Sequence, residues 1–278
     1  MKRFLLSSNP GKSGFIDLEG KDYHYLVNVR RYAVGEFFSV LLPNGESAAM
    51  QVVSIKNGVV TCKCDRHDGS HSDCRRRQRI ILFQAQPKAD KMDLIVRQAA
   101  ESGIAEIVPF VSEFSVAKTS AGGEKFSRWE RLIKEARQQS GSQVATALHQ
   151  PLTMNELFSC WNDIKEETNA LGLLFHHDEA SALEAMFAKG LEYKSLHGYL
   201  EVNPETVVLA IGPEGGFSDK EVALFIENGF QPFTIGNNIL RTETAALYCA
   251  AAVKIILLER DTWKLNKQNQ NKRSSGSE

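Results

Sequence analysis

From residue 80 onward, apolar runs alternate with segments of helical period, and this alternation restricts the fold more than any other feature of the chain. The runs over 80–85, 106–111, 171–176, 206–211 and 232–235 are short and bounded by polar or glycine-containing turns, as buried strands are. Between them, 91–102, 126–140, 180–189 and 219–228 carry the helical period, and a long final helix follows. Strands that are apolar throughout, rather than on alternate residues, must be covered on both faces. That is the situation of a parallel sheet with helices above and below it, so the α/β class follows.

The first 79 residues have another rhythm. Short runs over 37–42, 48–55 and 58–64 are separated by PNGE and KNG, and Asn-Gly between alternating runs is the strongest short-range hairpin signal. They predict a small antiparallel barrel or sandwich. The polar stretch 65–78, which has no apolar period, reads as a linker. The polar, low-complexity stretch at the end reads as a disordered tail. The expected division is an N-terminal β-domain over 1–74, an α/β domain over 75–265 and a tail over 266–278.

Composition serves mainly to exclude. A chain of 278 residues has room for two domains, and 42% hydrophobic with 24% charged residues excludes a disordered, collagen-like or membrane protein. The opening MKRFLLSS holds too short an apolar run for a signal peptide. The stretch 245–258 is interrupted by Lys254 and falls short of the roughly 20 residues that span a bilayer. Five cysteines without secretory context point to a reducing cytoplasm. Cys62, Cys64 and Cys74 lie near His67 and His71, but Cys62 and Cys64 sit two apart in the alternating run GVVTCKC and so share one face of a strand; no metal is expected. Charge is uneven: residues 1–79 carry 13 Lys/Arg against 8 Asp/Glu, whereas the whole chain has a net charge of -1. The basic end, with Arg30, Arg31 and the run Arg75, Arg76, Arg77 and Arg79, is the part suited to phosphate.

Two loops carry the chemistry. In TVVLAIGPEGGFSDKEV a buried strand ends at Gly212, and Ser218 with Glu221 matches a capping box for the next helix. The glycines of 212–216 therefore lie at the carboxyl end of a parallel strand, where ligands of open α/β sheets bind. Neither a dinucleotide fingerprint nor a P-loop is matched. In FTIGNNILRTETAALYCAAAVKII a second strand passes through a glycine-containing loop into a helix of small apolar residues, which implies deep burial or a subunit contact. Thr242 is the expected N-cap of that helix and Glu243 complements its dipole.

Taken together, GPEGG at 212–216 and ILRTETA at 239–245 resemble the RsmE family of the SPOUT methyltransferases, whose members methylate the N-3 nitrogen of a uridine in 16S ribosomal RNA. MKRF at the start, HYLVNVRRYAVGE, QAQPKADKM, AESGIAEIVP and QSG add to the resemblance, which covers nearly the whole chain. It implies an N-terminal PUA-like barrel for RNA and a C-terminal parallel-sheet domain tied in a trefoil knot. It also implies a homodimer and S-adenosyl-L-methionine as the cofactor. The implied cofactor-binding residues are Leu174, His176, Gly212, Pro213, Glu214, Gly215, Gly216, Ile235, Gly236, Asn237, Ile239, Leu240, Thr242 and Ala245. Arg3, Arg30, Arg31 and Lys88 are the implied RNA-binding residues.

A uridine imide nitrogen is protonated near neutral pH, so its methylation calls for a general base or a cation that favours the anion. Arg241, as the cation, and Glu243 are the candidate catalytic residues. The chain departs from the family at Gln98, Phe114, Gln138, Ser142 and Asn238, positions implied to face RNA. Two other readings therefore stay open: the same fold acting on a different RNA, and an RNA-binding paralogue without catalysis.

Overall fold

The computed structural model describes residues 4–11, 13–43, 45–65, 78–115, 123–176, 179–190, 192–234, 236 and 238–274. The alternation beyond residue 80 becomes a six-stranded sheet, every pairing of which is parallel. In chain order its strands are β6 (Arg79–Ala85), β7 (Glu106–Phe110), β8 (Ala147–Leu148), β9 (Ala170–Phe175), β10 (Thr206–Ile211) and β11 (Gln231–Phe233). Their order across the sheet is β11-β9-β10-β6-β7-β8. Central β10, TVVLAI, is buried at all six positions, which explains why it reads as one unbroken apolar run. Its register aligns Ile211 with Phe175 of β9 and with Gln84 of β6, so three strands end side by side.

The helices that follow β6 in the chain are α2 (Lys91–Ser102), α3 (Gly123–Ser140), α4 (Met154–Glu167), α5 (Glu179–Ala188), α6 (Leu196–Leu200), α7 (Asp219–Glu227) and α8 (Thr242–Ser274). The predicted limits of α2 agree with the structure, and Gly103, at φ 74°, supplies the left-handed residue that ends it. Helix α4 was missed, although Thr153 and Glu156 form a complete capping box at its start. One core cluster joins Phe83, Phe110, Trp161, Phe225 and Phe230 beneath the sheet. As described, α8 runs on to Ser274, through most of the stretch read as a tail from 266. Lys, Gln and Arg, frequent there, are good helix formers.

The chain divides into two compact units, Met1–Arg75 with Ile133–Ala145, and Arg76–Leu132 with Thr146–Glu278. Residues 133–145 thus group with the first unit, which a boundary at 74/75 does not capture. The linker reading falls mostly on residues outside those described.

The first unit holds β1 (Phe4–Leu5), β2 (Phe15–Leu18), β3 (Phe37–Leu41), β4 (Ser47–Lys56) and β5 (Val59–Asp65), ordered β1-β3-β4-β5-β2. The predicted hairpin at KNG is present. Asn57 and Gly58 have φ of 51° and 77° and join Lys56 to its partner Val59, the two positive angles of the two-residue turn that matches strand twist. The sheet is mixed rather than wholly antiparallel, because β1 pairs with β3 in parallel. Two-residue β1 is too short to show any period. Met50, Val52, Val60, Cys62 and Cys64 fill the inner face, so the two cysteines pack as strand residues. Burial pushes the Cys62 thiol up to about 11, assisted by Asp17. Between β2 and β3, α1 (Gly20–Tyr23) passes into a π-helix, His24–Val29.

Candidate active site

The loop after β10 is folded back on itself. Gly216 N–H donates to Pro213 O at 3.0 Å, and a Cβ on Gly212 would lie 3.2 Å from two backbone atoms of Gly216. Gly216 has φ 71°, which a side chain disfavours. The predicted capping box then starts α7: Ser218 Oγ accepts from Glu221 N–H, and Glu221 Oε2 accepts from Ser218 N–H at 3.0 Å. The other Glu221 oxygen accepts Glu113 N–H at 2.9 Å, which ties this helix start to the chain beyond β7.

Thr242 joins the second loop to the first. Its hydroxyl donates to Gly212 O at 2.7 Å and accepts from Gln84 Nε2 at 3.0 Å. The expected N-cap is thus the first residue of α8, with its hydroxyl turned to the neighbouring loop. Gln84 is wholly buried and also donates to Ala85 O at 2.9 Å. One hydroxyl therefore joins the ends of β6 and β10 to the start of α8.

A cavity of about 450 Å³ lies between the two loops, within the usual ligand-pocket range of about 300–1,000 Å³. Of the residues implied to bind cofactor, His176, Gly212, Pro213, Glu214, Gly215, Gly216, Gly236, Ile239, Leu240, Thr242 and Ala245 line it. Phe175, Phe217, Phe233, Thr234, Asn238 and Cys249 line it too and were not singled out as cofactor-binding. Phe217, Phe233, Thr234 and Asn238 lie beside or within the two motifs, Phe175 precedes His176, and Cys249 is one helical turn beyond Ala245. Leu174 is wholly buried in the core cluster and does not line the cavity, whereas the next two residues of the chain do. Ile235 and Asn237 lie outside the described residues.

Beside the cavity, Lys91 reaches two carboxylates, Glu214 at 2.8 Å and Glu243 at 3.5 Å. Glu214 also accepts Lys88 N–H through both oxygens, at 3.0 and 3.2 Å. Burial pushes the Glu214 carboxyl up, but the hydrogen bonds from Lys91 and from backbone N–H groups outweigh it and hold the group below its ordinary range. The Glu214 hydrogen bond, in turn, raises Lys91. Sequence reasoning missed Lys91 because its partners are distant in the chain.

Neither candidate catalytic side chain lines the cavity. Arg241 is exposed, between lining residues Leu240 and Thr242. Glu243 is half-buried and faces Lys91. Among the RNA-directed residues, Arg30 and Arg31 are exposed at the end of the π-helix. Arg30 Nη2 donates to Tyr32 Oη at 3.2 Å with its guanidinium 5.7 Å from that ring's centre. Arg31 has φ 58°, unusual for a residue with a side chain. Lys88, in the other unit, is exposed, and Arg3 lies outside the described residues. Among the described residues, no cluster of His, Cys, Asp and Glu could hold a metal, and no helix is long and apolar enough to cross a membrane.

A parallel sheet with a cavity between two glycine-bearing loops at its carboxyl edge defines an α/β domain built to bind a small molecule. The RNA methyltransferase domain model matches residues 74–254. The chain is 28% identical over 267 residues to ribosomal RNA small subunit methyltransferase E 2 of Borreliella burgdorferi, covering 92% of this chain and 98% of that one. It is 30% identical over 199 residues to ribosomal RNA small subunit methyltransferase E of Aquifex aeolicus, covering 68% and 78%. The chain belongs to the RNA methyltransferase family and, within it, to the ribosomal RNA small subunit methyltransferase E group. The Neisseria gonorrhoeae member, solved bound to S-adenosyl methionine, shares the fold with a TM-score of 0.68 at 23% identity, covering 92% of this chain and 98% of that one.

Proposed function

We propose that this chain transfers a methyl group from S-adenosyl-L-methionine to the N-3 nitrogen of a uridine in 16S ribosomal RNA of the small subunit. The observation that carries the reading is the cavity shared by the loop 212–216 and, in the second loop, Thr234, Gly236, Asn238, Ile239 and Leu240. The donor fits what lines it. A Cβ on Gly212 would crowd the loop backbone, Gly216 takes a φ of 71° that a side chain disfavours, and Ile239, 78% exposed at the wall, is an apolar surface for a ligand to cover.

When bound, S-adenosyl-L-methionine supplies a methyl group already activated by its sulfonium. The residues then have to hold, align and exclude water. Backbone of 212–216 with Ile239 and Leu240 forms the cradle, and the end of β9, Phe175 and His176, forms a further wall. Arg241, exposed between two lining residues, is the cation that favours the anionic form of the target nitrogen. Glu243 acts through Lys91, which it shares with Glu214, and is a positioning residue rather than the proton acceptor.

The division of labour follows the two units. The first, a PUA-like barrel, binds RNA through Arg3, Arg30 and Arg31; the second carries the methyl transfer, with Lys88 toward RNA. In the second, α8 returns from edge strand β11 to pack on α2, β6 and β10, a course that suits the trefoil knot. Tyr248, Ile255 and Leu258 leave an apolar stripe exposed on α8, and this stripe is the homodimer interface. The enzyme works in the cytoplasm, where the subunits are.

Incubation with labelled donor and small subunits, or with free 16S RNA, followed by nucleoside identification, tests the reading. Labelled 3-methyluridine in 16S RNA is the expected product. Label in another nucleoside or RNA would replace the substrate, and donor binding without transfer to any RNA would refute the enzymatic reading.

A further inference from the structure

Phe114 stands on a turn beyond the carboxyl end of β7, residues 112–115, with 47% of its surface exposed. The turn is held firmly. Ser115 N–H donates to Ser112 O at 3.0 Å, Ser112 N–H donates to Ser115 Oγ at 3.2 Å, and Glu113 N–H donates to Glu221 at 2.9 Å. Glu221 is 5% exposed and caps α7, so the turn is fixed to the helix that follows the cavity loop. Nearby Phe110 and Phe217 are buried and stack at 6.2 Å. Phe114 is held out of that core. Its Cβ is 3.0 Å from where a Cβ on cavity-lining Gly215 would be, so the absence of a side chain at 215 lets the ring stand directly against the loop.

An exposed aromatic ring on a rigid turn beside a reaction cavity has a specific use when the substrate is a polynucleotide. Chemistry on a base requires that base to leave its stack, and the lost stacking must be replaced. An aromatic face replaces it for any base and offers no hydrogen bond to read base identity. We propose that Phe114 stacks on an unpaired nucleobase of the RNA substrate and holds it at the mouth of the cavity. The proposal rests on the RNA methyltransferase reading given above. It assigns Phe114 to RNA affinity and placement, not to donor binding.

The test compares wild type with Phe114→Ala, Phe114→Leu and Phe114→Trp. The substrate is small subunits from cells lacking the modification, and donor affinity is measured alongside by calorimetry. Ala and Leu should raise KM for subunits about tenfold or more, Trp should stay within about threefold of wild type, and all should bind the donor as wild type does. Leu keeps apolar bulk against Gly215 without a π face. A Leu variant equal to wild type, or an Ala variant that loses donor affinity in step with RNA, would therefore reduce the ring to loop packing and overturn the proposal. Wild type that transfers to no RNA would overturn the enzymatic reading instead. Subunit affinity measured by co-sedimentation then still decides the ring: Ala and Leu weakened with Trp retained supports stacking, and no difference rejects it.

Discussion

The parallel sheet of the second unit keeps its central strands out of water on both faces and presents its chemistry at one edge. The mixed sheet of the first unit leaves one face in solvent. On that face the registers align Phe37, Gln51, Lys63 and Phe15 in one row across four strands, with both phenylalanines exposed. Where both faces are buried, side chains along the strands are committed to packing, so the ligand site is confined to loops and is written in contiguous residues. Where a face is free, a binding surface can be assembled from single residues on separate strands, and no contiguous motif records it. The first kind of site should fail on one substitution, and the second should erode.

Gly212→Val is expected to have the largest effect, a loss of donor binding of at least about a hundredfold. Its side chain meets backbone at 3.2 Å rather than a movable group. Calorimetry would check this, with circular dichroism to show that the sheet survives; unchanged affinity would break the contrast at its strongest point. Thr242→Val keeps the shape and removes the hydroxyl shared by Gly212 and Gln84. Stranding a buried partner costs about 1–3 kcal/mol, which urea denaturation would read as a lower midpoint with unchanged slope.

Lys91→Met should weaken donor binding by less than about tenfold and change its pH dependence. Glu214 is held below the ordinary carboxylate range, so its tether is complete above that range and is lost as pH falls through the depressed value. Without Lys91 that loss moves to higher pH, and donor affinity measured from pH 7 into the acid range would reveal it. The smallest effects belong to the first unit. Arg30→Ala and Arg31→Ala should each lower RNA affinity a few-fold and reduce the salt slope by about one, with donor binding untouched. A collapse of RNA binding on either change would mean that the surface is concentrated after all.

The same distinction explains what was legible in the sequence. β10, the loop 212–216 and the cap of α7 could be read because each depends on neighbours in the chain. Most residues assigned to the cofactor from the two motifs do line one cavity. Glu243 is a candidate catalytic residue on sequence alone, and its pairing with Lys91 appears only in the folded chain. Phe114 could be seen to differ from its family, yet its position against Gly215 depends on a turn fixed by a glutamate from another element. The parallel pairing of β1 with β3 rests on two residues, Phe4 and Leu5, and no periodicity can be read from a pair.

The hydroxyl of Thr242 carries a consequence for biosynthesis. Residues 84, 212 and 242 meet there, and the last of them is made after both of the others. A chain that has not reached residue 242 contains β6, β7 and β10 and still lacks one wall of the pocket. Donor binding is therefore expected to require the chain through the first turns of α8, and a truncation before residue 242 should lack it.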